Sequence, residues 1–494
     1  MSSVGKSLMV AALCRIFSQD GLRVAPFKAQ NMALNSFATR DGLEIGRAQA
    51  MQADAAGIDV TVEMNPVLIK PEADVFAQYV VMGKPWARLS AHDYMLERRQ
   101  ELWGVVTNAL DTLRAQYELV VIEGAGSPVE LNLRRGDLVN MAIAEFADAP
   151  VLLVGDIDRG GIFAQLLGTH ALLEGTECAR VKGFIVNKFR GDARLFDDGV
   201  KILESRSGVP VLGVIPFVRD LRIADEDSVV LEDRRAQNET RALHIAVIHL
   251  PHMSNFDDFD PLHAEPDVRV DFVERVDELQ NPDVIILPGT KTTVADLQFL
   301  RERGLAQRVL ELARAGTPII GICGGYQMLG IKIFDPQHVE SNETQVAGLN
   351  LVPLQTTFEG VKQTVQARGK ILANAGLFAN ARGLDFTGYE IHMGRSAYDD
   401  SVAPLVQVLQ RGDDVVNDCD GALTREGWIA GTYMHGFFDN DAWRATLLNN
   451  LAARKGWTRE LSVTRFDRHA EYDRLAATVC AHLDMEKVYR IVGL

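Results

Sequence analysis

Pro318-Ile319-Ile320-Gly321-Ile322-Cys323-Gly324-Gly325-Tyr326-Gln327-Met328-Leu329-Gly330 reads as a strand, a bend and a helix in immediate succession. Ile319 to Ile322 form a short continuous apolar run, of the kind buried in a parallel sheet. Cys323 follows at the bend, and two glycines lead into a helix-forming stretch. That order is a nucleophile elbow. Gly321 and Gly324 flank the bend because a side chain there would strike the tight turn or the arriving substrate. The N–H groups of Gly324 and Gly325 open a helix and are candidate donors to an oxyanion. Burial as an inert structural thiol is the commonest fate of a free cysteine, but glycines on both sides of Cys323 favour a nucleophile.

A thiol is only slightly ionised near neutral pH, so it calls for a paired base. His435 is the candidate among 11 histidines, because it ends the strand-like run Trp428–Tyr433 and is followed by Gly436. A base remote in sequence but standing at a strand end is how such pairs assemble. A further strand within 282–291 ends in Pro288-Gly289-Thr290, so Gly289 and Thr290 are candidates for the second oxyanion donor. Add the strand His244–His249 and a helix over Leu297–Ala315 stopped by Gly316, and the second half is a doubly wound parallel α/β unit. Glu390 and His392, on a strand within 388–396, are secondary candidates to line the site.

The chain has 494 residues, too many for one core, so two or three domains are expected. With 47% apolar and 24% charged residues it has the balance of a globular protein, and no apolar run reaches the ~20 residues that cross a bilayer. The opening residues lack the basic and apolar segments of a secretory signal, and a net charge of −16 speaks against a nucleic-acid surface. Five scattered cysteines without C-x-x-C spacing fit a reducing compartment. The expectation is therefore a cytoplasmic protein acting on small molecules, with neither membrane nor nucleic acid as partner; oligomeric state is left open.

The first half opens Met1-Ser-Ser-Val-Gly5-Lys6-Ser7, and Gly5-Lys6-Ser7 is the end of a phosphate-binding loop. Backbone N–H groups there cradle phosphates, Lys6 neutralises them and Ser7 can ligate Mg²⁺. Later apolar runs at 119–123, 151–156, 183–188 and 209–216 read as parallel strands, with polar residues at their carboxyl ends where open α/β sheets bind ligands. Glu123 and Asp156, with Asp158 close by, are candidate Mg²⁺ carboxylates beside Ser7. Asn187 and Lys188 are candidates for nucleotide recognition, and Lys28, Gln30, Asn31 and Asn35 for a polar substrate rich in carboxylates and amides.

The loop's first glycine, and the buried strand that precedes it, would lie upstream of Met1. Such a strand buries about five or six apolar side chains at ~1.5–3 kcal/mol each, comparable to the ~5–15 kcal/mol that holds a whole domain. The expectation is that the chain is recorded from too late a start codon or is a fragment.

These readings divide the chain into an ATP-dependent domain over 1–231, a polar linker over 232–243, a second α/β domain over 244–440 and a helical extension over 441–494. Taken in order, P-F-K-A-Q-N-M-A-L-N-S (26–36), E-G-A-G-S-P (123–128), D-I-D-R-G-G (156–161), N-K-F-R-G-D (187–192), L-P-G-T-K-T-T (287–293), the elbow and G-Y-E-I-H-M-G-R (388–395) resemble the cobyric acid synthase family over nearly the whole chain. The resemblance implies a dethiobiotin-synthetase-like P-loop domain followed by a class I glutamine amidotransferase domain. It implies ATP- and glutamine-dependent amidation of the b, d, e and g carboxylates of adenosylcobyrinic acid a,c-diamide, through an acyl phosphate and ammonia. Cys323 would attack glutamine, with His435 as base and acid. Many class I amidotransferases place a glutamate two residues after that histidine; here the position is Phe437, as in the cobyrinic and cobyric acid branch, and the sequence names no group to orient His435. Alternatives are a cobyrinic acid a,c-diamide synthase, a glutaminase serving another protein, and a non-catalytic P-loop regulator.

Overall fold

The computed structural model describes residues 3–72, 76–90, 99–132, 134, 137–219, 221, 223, 243–459 and 465–494. The linker expected at 232–243 lies outside these residues, apart from Leu243, which begins a strand. The chain forms two compact units: Met1–Ala33, Ile45–Asp227 and Asp467–Leu494 make the first, and Leu34–Glu44 with Ser228–Phe466 make the second. The stretch 441–494, read as one helical extension, is divided: the helix Asp441–Arg454 belongs to the second unit, Arg468–His482 and Met485–Val492 to the first.

In the first unit, Gly5 adopts φ +88° and the helix Lys6–Gln19 starts directly after it. Met9, Val10, Leu13, Ile16 and Phe17 recur at helical spacing and are buried. The strands Val24–Phe27 and Leu119–Ile122 pair in parallel. Val151–Asp156, Val181–Phe189 and Val211–Pro216 form a second parallel set with the middle segment at its centre. The carboxyl ends of these strands carry Glu123, Asp156, Asn187 and Lys188. A cavity of about 530 Å³ is lined by both Leu119–Ile122 and Val151–Val154, together with Met9, Leu13, Ile143 and Val488. Among the described residues no strand pairs with the second edge of either segment. Apart from Leu153, their apolar side chains are only partly buried, where parallel strands covered on both faces are buried throughout.

The second unit has that full burial. Its main sheet runs, in spatial order, Val268–Val273, Leu243–Ile248, Val284–Leu287, Ile319–Ile322, Ile429–Thr432 and Ala422–Leu423; only the last pairing is antiparallel. All four residues of both Val284–Leu287 and Ile319–Ile322 are buried, each large apolar side chain contributing ~1.5–3 kcal/mol. The strand order reverses beside Leu243–Ile248, and in such sheets the ligand crevice lies past the carboxyl ends at that reversal. Residues 288–290, Cys323 and His435 follow three of those ends.

Two features depart from the sequence reading. The helix expected over Leu297–Ala315 is two helices, Thr293–Glu302 and Leu305–Arg314, interrupted at Gly304 with φ +73°. A second, largely antiparallel sheet is built on the long strands Leu354–Ile371 and Asp385–Tyr398. The latter runs past His435, to which Tyr389 is joined by reciprocal backbone hydrogen bonds of 3.1 and 2.9 Å.

Candidate active site

Cys323 caps the helix Gly324–Leu329 with φ 50° and ψ −107°, a left-handed conformation unusual for a residue with a side chain. The surroundings enforce it. Strands pair on both sides of Ile319–Ile322, and the Cys323 N–H donates to the Thr432 carbonyl at 2.8 Å. The glycines around it have separate duties. A Cβ on Gly321 would sit 2.7 Å from the Gly325 carbonyl oxygen, and one on Gly325 would sit 2.0 Å from that of Leu287. The Gly325 N–H donates to the Pro288 carbonyl at 3.1 Å. Gly325 therefore packs the elbow onto the neighbouring strand end, and its expected role as an oxyanion donor is corrected to that.

Gly324 faces Thr290: an added Cβ would come within 2.6 Å of Thr290 Cγ2 and 3.2 Å of its backbone nitrogen. The Thr290 N–H thus borders the pocket at the start of the helix, where Gly324 also lies. Gly289 lies against the His435 ring, a Cβ there falling 2.7 Å from Cε1. Gly324→Ala is expected to lower turnover at the Cys323 site by roughly 10²-fold, the scale of one lost oxyanion donor, because Thr290 must move. Overpacking should cost about 1–3 kcal/mol of stability. Steady-state kinetics and a melting curve read both.

His435 is buried and follows the strand Ile429–Thr432. Its Nδ1 lies 2.7 Å from Asp258 Oδ2. The other Asp258 oxygen accepts the Gly436 N–H at 2.7 Å, and the Tyr389 ring stacks on the imidazole at 5.4 Å between centroids. Burial opposes charge on His435, yet Asp258 and then Cys323 hold its imidazole up at about 10. Burial also pushes the Asp258 carboxyl upward. The ion pair is the form we adopt, because both carboxylate oxygens are met by donors. An imidazolium held in this way can give its proton to a departing group.

Sequence reasoning missed Asp258. Its signal was Asn255-Phe256-Asp257-Asp258-Phe259-Asp260, in which acids alternate with aromatic residues and yet all are buried. Phe437, two residues after His435, packs among Phe378, Phe386 and Trp443. Glu390 and His392 serve the walls of the site. Glu390 is buried and paired through both oxygens with Arg411, at 3.0 and 3.1 Å. His392 stacks on Tyr433 at 3.8 Å and is pushed down to about 4, first by burial. The Cys323 thiol donates to the Ile391 carbonyl between them at 3.5 Å.

Asp420, buried beneath the site, is pushed up to about 7 by burial and then by Glu390, against hydrogen bonds from Thr432 and Tyr433. Its folded value lies above the unfolded ~3.9. The stability it contributes is therefore fully present below about pH 4 and is lost as pH rises through about 7. Asp420→Asn should flatten that part of the stability–pH curve and raise the melting temperature at pH 8. A variant that still loses stability between pH 4 and 7 as the parent does would show the slope to have another origin.

The phosphate-loop residues gather in the first unit. Ser7 Oγ donates to Glu123 Oε1 at 2.9 Å, the Lys28 ammonium lies 2.9 Å from the same oxygen, and Gln52 donates to Oε2 at 2.6 Å. Burial raises Glu123, but Lys28, Gln52 and Ser7 outweigh it and hold the carboxyl below its ordinary range. Asn187 Nδ2 donates to the Val4 carbonyl at 2.8 Å and Lys188 Nζ to that of Ser3 at 2.7 Å. Both residues thus fasten the loop ahead of Gly5. Asp158 pairs with Arg190 at 2.7 Å. Asp156 is buried; its Oδ1 accepts the Asp158 N–H at 2.9 Å, and its Oδ2 faces the Lys188 ammonium at 3.0 Å without an aligned hydrogen bond.

Among the described residues no three His, Cys, Asp or Glu side chains form a metal cage. A hydroxyl at a helix start with one under-bonded carboxylate nearby in the fold fits Mg²⁺ carried on phosphates, which needs only one or two protein carboxylates. Of the expected substrate residues, Lys28 is neutralised by Glu123, Asn31 is buried against Gln49 at 3.2 Å, and Gln30 is half-buried. Asn35 belongs to the second unit, where its Oδ1 accepts the Asn255 N–H at 2.6 Å.

Two relatives match from end to end. A cobyric acid synthase of Pelotomaculum thermopropionicum is 49% identical, with 100% of this chain and 95% of the relative covered. That of Sorangium cellulosum is 52% identical, covering 100% and 97%. The chain belongs to the cobyric acid synthase family. Residues 1–230 match the CobQ/CobB/MinD/ParA nucleotide binding domain and residues 244–443 the CobB/CobQ-like glutamine amidotransferase domain. The chain is accordingly a glutamine-dependent ligase with an α/β fold in both units. Among solved structures, PurLQS from Thermotoga maritima is 21% identical over 42% of this chain and 99% of that one, with a TM-score of 0.33. No helix of the described residues is long and apolar enough to cross a membrane.

Proposed function

We propose that this member of the cobyric acid synthase family amidates the b, d, e and g side-chain carboxylates of adenosylcobyrinic acid a,c-diamide, giving adenosylcobyric acid. The observation that carries the glutamine half is Cys323, bent at φ 50° at a strand end, with the buried His435 held up by Asp258 and then by Cys323. The thiolate attacks the glutamine carboxamide carbon, with the oxyanion facing the N–H groups of Gly324 and Thr290. His435 gives its proton to the departing nitrogen, the C–N bond breaks and ammonia leaves. Water then cleaves the thioester to glutamate, and His435 accepts a proton in that step.

Bound ATP, with Mg²⁺, supplies the phosphoryl group that makes a corrinoid carboxylate an acyl phosphate. Gly5, Lys6 and Ser7 would hold its phosphates, with Asn187 and Lys188 keeping the loop in place; Ser7 and Asp156 would be the metal-side ligands, while Glu123, expected among them, is engaged instead with Ser7, Lys28 and Gln52. Ammonia adds to the acyl carbon and phosphate leaves. Lys28, Gln30 and Asn31 lie at the end of the strand that presents the acceptor. The full-length relatives named cobyric acid synthase favour this reading over the a,c-diamide synthase.

The test incubates the protein with glutamine, ATP, Mg²⁺ and either the a,c-diamide or cobyrinic acid, and follows corrinoid mass and glutamate together. Stepwise amidation of the a,c-diamide is the expected result. Amidation of cobyrinic acid alone, with the a,c-diamide untouched, would replace the proposal by the rival synthase.

A further inference from the structure

We propose that Asp258 is the positioning residue of the glutamine site, replacing the glutamate whose usual place is taken by Phe437. The inference rests on the reading of Cys323 and His435 given above. Among the described residues, Asp258 is the carboxylate bonded to the His435 ring, at 2.7 Å from Nδ1. The bond fills Nδ1, so Nε2 is the nitrogen left for chemistry at the thiol. Its geometry is two-point: Oδ2 meets the ring and Oδ1 meets the N–H of the next residue, Gly436, also at 2.7 Å. One carboxylate therefore fixes both the ring and the backbone turn that bears it. Tyr389 stacks on the ring face and hydrogen-bonds the His435 backbone, contacts that limit tilt.

Asp258 is itself held from behind. It lies in the short turn Phe256–Phe259, entered through Asn255 at φ 54°, and its N–H donates to the Asn255 carbonyl at 3.0 Å. Asn255 is clasped on both sides: its N–H donates to Asn35 Oδ1 at 2.6 Å, and its Oδ1 accepts the Ser36 N–H at 2.8 Å. Asn35, which sequence pattern placed with the substrate amides, thus acts as the outer support of the catalytic imidazole. The order of action is Asn35, Asn255, Asp258, His435, Cys323.

The test measures glutamate release in the full chain. Asp258→Asn keeps the shape but removes the charge, and should cut kcat by roughly 10²–10⁴-fold, the upper end being the loss seen when a triad aspartate is amidated. The KM for glutamine should move only a few-fold, because Asp258 touches no substrate atom. The rate of Cys323 alkylation by iodoacetamide at neutral pH should fall in step with kcat. Asp258→Glu should recover part of the loss. The decisive comparison is the double variant Asp258→Asn/His435→Ala: it should be no slower than His435→Ala alone, since groups that act through one another do not add. Asn35→Ala should lower kcat in the same direction by less.

Multiplicative losses in the double variant, or an Asp258→Asn enzyme with parental kcat, would overturn the proposal while leaving Cys323 and His435 in place. Parental protein that releases no glutamate would instead overturn the functional reading on which it stands.

Discussion

Cys323→Ser is expected to lower glutamine-dependent amidation by roughly 10⁴–10⁶-fold, the range seen when an enzyme loses its nucleophile, while amidation driven by added ammonium survives. The substitution changes one atom in a buried pocket and leaves the elbow's backbone to its neighbours. The size of the effect comes from His435. Its imidazole is held at about 10, so near neutral pH it already carries the proton that a hydroxyl would have to surrender. A thiol, ordinarily ionising near ~8.5, works beside an imidazolium; a serine does not. Glutamate release and ammonium-supported amidation, measured side by side, check the result. Equal loss of both activities would mean that the substitution had damaged more than the ammonia source.

Glu123→Gln should act on the other half of the reaction. Glu123 is 2% exposed and its partner Lys28 is 5% exposed, so this is a buried ion pair. Removing one partner leaves a charge stranded, at about 3–5 kcal/mol. The Ser7 and Gln52 hydrogen bonds to the carboxylate must rearrange as well. ATP-dependent amidation should fall to background, and the first unit should unfold at lower temperature. Because the cost is that of a stranded ammonium, Lys28→Met added to Glu123→Gln should restore much of the stability without restoring amidation. Calorimetry of the three proteins checks the first point and the ammonium-supported assay the second. A double variant no more stable than Glu123→Gln would show that the pair is not the source of the loss.

The parts of the site legible in the sequence are those whose logic is local. Cys323 is announced by its own neighbours: glycines at 321, 324 and 325 are each required by a collision that a Cβ would cause. His435 could be read from its place at the end of an apolar strand. Asp258 could not, because its meaning lies in a ring 177 positions away. An acid beside other acids ordinarily signals a solvated turn. Asn35 misled for a related reason: a run of amides suits a polar ligand and suits a buried backbone clasp equally well, and only the fold separates them. The break at Gly304 was hidden because apolar spacing continues across it. The long antiparallel strands were hidden because half of Leu354–Ile371 faces away from the core, diluting the apolar pattern.

The segment Leu34–Glu44 carries a consequence for modularity. It precedes almost all of the nucleotide-binding half in the chain, yet folds with the amidotransferase half, where the Phe37 ring meets Tyr389 at 5.0 Å and the Lys362 ammonium reaches Glu44 at 2.5 Å. Linear order and folded order therefore disagree at this point. A gene divided between residues 230 and 244, where the two family domains part, would hand the glutaminase fragment a cleft without its clasp. Exchange of either half as a cassette would therefore have to carry this short segment along with the amidotransferase half.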